Sequence, residues 1–200
     1  MATSNPSVLQ RLSITEFELT ELVDANPSLR GILLGYVAEK KFHDLYLNHP
    51  DVTEAGKDDD HDRKHKGDRR IVYRGKPFII EVKSLQTNHI KNLGEDKWEG
   101  KSQVDASDSR DVVLPNKTKL KTTCLLRNEF DVLAINCFGF GNRWRFAFAL
   151  NTDLPLNTFK NYTKYQRRHL LPTLIAVTWP LKPPFVDSPF KLLDRLLSKR

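Results

Sequence analysis

Two hundred residues suit one domain with a sizeable core, and 39% apolar with 28% charged side chains describe an ordinary soluble globular chain. No run approaches the roughly 18 apolar residues of a membrane span, and the opening MATSNPSVLQ lacks a basic-then-apolar signal pattern. Cys124 and Cys137 lie in apolar surroundings without paired-ligand spacing, so they read as buried thiols of a reducing cytoplasm rather than a disulfide or a zinc site. The net charge of +7 is unevenly placed: residues 160–200 hold nine Lys or Arg against two acids, while the other 159 residues carry 23 of each sign. A basic end on a neutral body points to a polyanion, nucleic acid before membrane, with a merely solubilising tail as the competing reading.

In chain order, residues 1–12 read as poorly ordered. Ser13-Ile14-Thr15-Glu16 has the form of a capping box and opens a helix through about Ala25. Asn26-Pro27-Ser28 breaks it and starts a longer helix to about Asn48, stopped by His49-Pro50. Ile32, Leu33, Tyr36, Val37, Phe42, Leu45 and Tyr46 give that helix a broad apolar face, and Glu39 lies on its edge. Lys57 to Lys66 mixes both charges without an apolar residue and reads as a solvated loop. It lacks a glycine-centred calcium pattern, and His61 and His65 have no third ligand for zinc.

The stretch Asp68 to Ser84 organises the chain. Arg69–Tyr73 and Phe78–Ser84 read as two strands joined by Arg74-Gly75-Lys76-Pro77, where Gly is permissive and Pro cannot donate to a ladder. A hairpin centred between Gly75 and Lys76 sets Asp68 opposite Lys83 and Arg70 opposite Glu81. Strand periodicity of two then gathers Asp68, Glu81 and Lys83 on one face. Two carboxylates and an ammonium at a strand end make a metal site with a basic neighbour; solvated ion pairs on an edge hairpin are the bland alternative.

Beyond Lys83 a polar segment carries a short helix near Asn88–Leu93, a strand around Lys101–Ala106 and a hairpin through Val112–Lys117 to Lys119–Leu126. Phe130–Phe138 is apolar on both faces, as in a central buried strand. The returning strand alternates, with Trp144, Phe146, Phe148 and Leu150 on one face and Arg143, Arg145, Ala147 and Ala149 on the other. A helix near Tyr162–Leu170, a strand at Leu174–Trp179 and a final helix Ser188–Lys199 complete the chain. Lys164, Arg167 and Arg168, at helical spacings of three and four, form one positive face suited to phosphates.

Acid-x-Lys occurs five times, beginning at Glu39, Asp62, Glu81, Glu95 and Glu99, but only the copy at Glu81 ends an apolar strand and has an aspartate across a turn. Asp68 followed by Glu81-Val82-Lys83 resembles the PD-(D/E)xK nuclease superfamily, with Gly67 where the family label has Pro. The resemblance implies an α/β, restriction-endonuclease-like fold, a mixed central β-sheet flanked by helices, over a single domain of residues 1–200. It implies a Mg²⁺-dependent DNA endonuclease, restriction-type, with Asp68 and Glu81 as metal ligands, Lys83 at the attacking water and Glu39 as a further carboxylate from the preceding helix. It also draws attention to Gln103 as an accessory position, otherwise a surface amide. Double-stranded DNA is the implied partner, and a homodimer follows if a palindrome is cut on both strands. One of Asp58 to Asp62 replacing Asp68 is an alternative, as are a non-catalytic binding module, a subunit of a larger nuclease assembly, and a nuclease acting on RNA or branched repair intermediates.

Overall fold

The computed structural model describes residues 5–56 and 69–199. The chain divides into two compact units, Met1–Val37 and Ala38–Arg200. The first is helical. α1 (Val8–Leu12) is closed by a capping box of Ser7 and Gln10, which gives residues 8–12 the order that their polar surroundings did not suggest. α2 (Glu16–Ala25) is capped by Thr15 and Glu18, two residues beyond the Ser13-to-Glu16 box expected from the sequence, because Ser13 adopts a left-handed conformation that ends α1. α3 (Pro27–Phe42) starts at the expected proline and continues into a π turn, His43–Leu47. Leu29, Ile32, Leu33 and Tyr36, spaced as one helix face, remain exposed.

The second unit is built on a five-stranded mixed sheet in the order β1-β2-β3-β8-β9. Its members are β1 (Val52–Gly56), β2 (Arg69–Tyr73), β3 (Lys76–Ser84), β8 (Val132–Asn136) and β9 (Phe146–Leu150). Between β3 and β8 the chain forms β4 (Lys91–Asn92), β5 (Trp98–Gln103), β6 (Asp105–Val113) and β7 (Lys119–Cys124). β5 joins β4 and β10 (Leu174–Trp179) in a three-stranded sheet, and β6 pairs with β7 as a hairpin. α4 (Lys164–His169) and α5 (Pro189–Leu197) complete the unit. The architecture is mixed α/β, a central mixed sheet flanked by helices. No helix among the described residues is long and apolar enough to cross a membrane.

β8 and β9 are buried at every position, and their alternation supplies two cores. Val132, Ala134, Phe146, Phe148 and Leu150 face a cluster with Phe42 and, from α5, Leu192 and Leu193. Leu133, Ile135, Ala147 and Ala149 face the other cluster, with Phe130, Phe140 and Leu171. The phenylalanines carry the packing on the first face, each worth about 1.5–3 kcal/mol of burial. The intervening alanines leave little side-chain volume on the second. β3 runs parallel to β8 and antiparallel to β2, which makes it the middle strand of the sheet.

The β2–β3 hairpin departs from its expected register. Tyr73 pairs with Lys76 and Arg70 with Ile79, so Arg70 does not oppose Glu81. The turn is the two-residue Arg74-Gly75, with φ of 47° and 72°, and not the four residues through Pro77. Two positive φ values suit a two-residue hairpin, because their twist matches that of the flanking strands. The non-glycine strain at Arg74 is offset by ion pairs to Asp51 at 2.8 Å and Asp194 at 2.9 Å. Asp68, and with it the expected pairing to Lys83, lies outside the described residues.

Candidate active site on the central strand

Residues two apart on a strand share a face, and Ile79, Glu81 and Lys83 illustrate the rule. Ile79 packs against the cluster containing Leu133 and Ile135, the β8 residues that pair with Glu81 and Lys83. The Glu81 side chain keeps only 8% of its surface exposed and Lys83 keeps 22%, and Lys83 Nζ stands 2.8 Å from Glu81 Oε1. Among the described residues, the β2 ladder ends at Ile80, so Glu81–Ser84 continue along β8. An ion pair in this setting gives up hydration that apolar residues would not need. Its chemistry is that of a fixed carboxylate with a cation against it.

Neighbouring segments hold this strand end in place. Ile79 N–H donates to Asp131 Oδ2 at 2.8 Å, and Asp131 N–H donates back to the Ile79 carbonyl at 2.8 Å, extending the ladder ahead of β8. On the far side Ser102 Oγ donates to the Ser84 carbonyl at 3.0 Å, and Gln86 N–H donates to the Lys101 carbonyl at 2.8 Å. Gln103, at the end of β5, accepts from Gln86 Nε2 at 2.5 Å. Gln103 thus lies beside the chain leaving β3 and is exposed, as a surface amide is.

Glu39 occupies the last turns of α3, where its Oε2 meets Arg69 Nη2 at 3.4 Å, with side chains 19% and 12% exposed. Arg69 is the ladder partner of Ile80, which faces the core containing Phe42. Glu81 and Lys83 project from the other face of β3. The structure therefore brings Glu81 and Lys83 together, and holds Glu39 on Arg69 at the start of β2. Asp68 and the Asp58–Asp62 run lie outside the described residues.

Nothing in the sequence marks Arg110 as a site residue. On β6 it forms a two-pronged ion pair with Glu129, through Nη1 to Oε1 and through Nη2 to Oε2 at 2.6 Å, while Glu129 Oε2 accepts from Leu126 N–H at 2.7 Å. The Glu129 bonds push the Arg110 pKa up against the opposing effect of burial, and the charge of Glu81 adds to the rise. Arg110 is thus a permanent positive charge within the field of Glu81. The signal for Asp131 was present in Glu129-Phe130-Asp131, acids directly ahead of an apolar strand, but a turn assignment absorbs such residues equally well.

No group of three His, Cys, Asp or Glu side chains clusters as a metal site among the described residues. The donor that is described, a carboxylate oxygen of Glu81 at a strand end, is of the hard type that Mg²⁺ takes. Soft donors are withdrawn: both cysteines are free and buried, and burial pushes the Cys137 thiol up to about 12. Lys164, Arg167 and Arg168 share α4, which has no buried residue of its own and is followed by the fully buried Leu170 and Leu171. Thr163 and Gln166 cap its start.

No protein-family model matches the sequence, and no curated protein sequence matches it. Among solved structures the chain is similar to a bacterial homing endonuclease, at 14% identity and a TM-score of 0.38, over 69% of this chain and 86% of that one.

Proposed function

We propose that this chain is a Mg²⁺-dependent DNA endonuclease of restriction type, acting through Glu81 and Lys83. The observation that carries the reading is the Glu81–Lys83 pair, 2.8 Å apart on the middle strand of a mixed sheet, with a carboxylate 8% exposed. A buried charged pair is a poor device for stability, so its retention at a strand end favours a chemical role. On this reading residues 1–200 serve one nuclease function. Glu81 holds the metal together with Asp68, while Glu39 keeps its ion pair with Arg69 on the face of the sheet opposite Glu81. When bound, Mg²⁺ supplies positive charge for the scissile phosphate and acidifies water. Lys83 hydrogen-bonds the attacking water and offsets negative charge as it builds on the phosphate oxygens. Arg110, paired with Glu129, adds fixed positive charge within the field of the same carboxylate. Lys164, Arg167 and Arg168 contact phosphates away from the reacting bond. A homodimer presents two such sites for cutting both strands of a palindrome.

The test is incubation of the purified chain with plasmid and mixed genomic DNA in Mg²⁺, in Ca²⁺ and in excess EDTA, read on a gel. Cleavage in Mg²⁺, with binding but little turnover in Ca²⁺ and none in EDTA, is expected, because longer and looser Ca²⁺ bonds place water poorly. Discrete bands mark sequence specificity and a smear its absence. Full activity in EDTA overturns the mechanism, and DNA that is bound but left intact in Mg²⁺ makes the chain a binding module.

A further inference from the structure

A cleft of about 380 Å³ lies between the end of β7, the segment before α4 and the start of β10, lined by Thr123, Cys124, Asn157, Phe159, Tyr162 and Leu174 among others. Its volume is that of a small-ligand site. None of its lining residues is ionised, so the group it suits is neutral.

Phe159 gives the cleft its character. It keeps 59% of its surface exposed, while its backbone is hydrogen-bonded and its ring meets one neighbour. Its N–H donates to Asn157 Oδ1 at 2.8 Å, and the buried Asn157 donates to the Leu171 carbonyl at 3.1 Å and to Cys124 Sγ at 3.4 Å. The Phe159 ring stands edge-on to Tyr162, with centroids 6.1 Å apart at 67°. Tyr162 is in turn fixed by a 2.7 Å hydrogen bond between its hydroxyl and that of Thr122. An exposed aromatic ring on an anchored backbone, set against a hydrogen-bonded tyrosine, offers a stacking surface with part of its ordering cost already met.

The surroundings identify what would stack there. Lys164 opens α4 two residues after Tyr162, with Arg167 and Arg168 on the same helix, so a cationic helix directly follows one wall of a neutral aromatic cleft. That is the charge pattern of a nucleotide: a neutral ring next to an anionic phosphate. Two routes join the cleft to the candidate active site. The Cys124 carbonyl accepts from Arg110 Nη2 at 3.5 Å, and Arg110 feels the charge of Glu81. Leu174 is the ladder partner of Gln103, which is bonded to Gln86 just past the end of β3.

We infer that this cleft receives a single unstacked nucleobase of the bound nucleic acid, stacked on Phe159. The inference rests on the nucleic-acid reading above and adds a base subsite to it. An unpaired base reaches the cleft without the cost of breaking a base pair, so unpaired substrates gain most from it.

The test compares the full-length wild type, Phe159→Ala and Phe159→Trp in Ca²⁺. Anisotropy gives affinities for a perfectly paired duplex and for a series of duplexes with one extra unpaired base at successive positions. Wild type is expected to favour at least one unpaired duplex over the paired one. Phe159→Ala, shown folded by circular dichroism, is expected to lose about tenfold of that preference, as for one stacked base, and Phe159→Trp to keep it. If wild type binds and cuts DNA but shows no preference, or if Phe159→Ala keeps the wild-type ratio, the base subsite is overturned while the nuclease reading stands. Failure of wild type to bind any of these nucleic acids overturns both.

Discussion

Lys83 Nζ lies 2.8 Å from Glu81 Oε1 on the middle strand of the sheet, on a face otherwise apolar at Ile79 and bordered by Leu133 and Ile135. The carboxylate is the more buried partner, so removing the ammonium leaves it without its ion-pair partner at the edge of a core. Lys83→Ala is therefore expected to lose stability by about 1–3 kcal/mol, less than for a fully buried pair because Lys83 is partly hydrated. The double variant Glu81→Leu/Lys83→Met is expected to recover most of it, since no charge is then stranded. Urea titration of the three proteins checks both. A fully stable Lys83→Ala protein would mean that Glu81 is well solvated without its partner.

Gly75 has φ of 72° in the hairpin turn, and a side chain added there meets no atom within 4 Å. Only backbone strain then opposes substitution. Gly75→Ala is expected to cost about 1–2 kcal/mol, and Gly75→Asn less, because Asn enters the left-handed region more readily. Denaturant midpoints of the two variants measure this directly.

The extent to which the sequence foreshadowed this architecture depended on how local each signal was. β8 was legible from Phe130–Phe138 because a run apolar on both faces has few places to go except the middle of a sheet. β9 was legible from the alternation of Phe with Ala, which the two cores divide as expected. Registers were not legible to one residue. The hairpin centre moved by one position because Arg74 takes a positive φ, a choice stabilised by Asp51 and Asp194, which are 23 and 120 residues away. In the site, Glu81 and Lys83 were legible because charges ending an apolar strand are conspicuous. Arg110 was hidden, since its meaning comes from a partner 19 residues away and from a carboxylate on another strand. The Asn157–Phe159 turn was likewise invisible without its distant partners Leu171 and Cys124.

Alkaline pH is expected to loosen the fold. Burial and the hydrogen bond to Asp194 push the Tyr73 hydroxyl from 10.0 up to about 12, and burial pushes the Cys137 thiol from 9.0 up to about 12. Both groups stay protonated in the native chain while the unfolded chain ionises them. The native state thus binds more protons between about pH 9 and pH 12, and stability falls as pH rises through that window. Thermal melts from pH 8 to pH 12 follow the decline. Tyr73→Phe removes the tyrosine share of the slope, at a cost near neutral pH of about 1 kcal/mol for the lost hydrogen bond.

The positive face of α4 is expected to act on phosphates without regard to sequence. Replacing Lys164, Arg167 and Arg168 together by Ala weakens binding to unrelated DNA sequences about equally. The plot of log affinity against log salt becomes shallower by up to about 0.9 for each phosphate no longer neutralised. Circular dichroism establishes that the variant is folded, as the burial of Leu170 and Leu171 leads one to expect. An unchanged affinity and slope would make these cations solubility charge.

The most direct test of the proposed chemistry is the initial rate of plasmid cleavage in Mg²⁺ by wild type and by Lys83→Ala, at a temperature where both are folded and with DNA binding measured alongside. Wild type is expected to cut, and Lys83→Ala to bind DNA with near wild-type affinity while its cleavage falls below detection. Cleavage by Lys83→Ala at the wild-type rate would contradict the assignment of β3 as the catalytic strand.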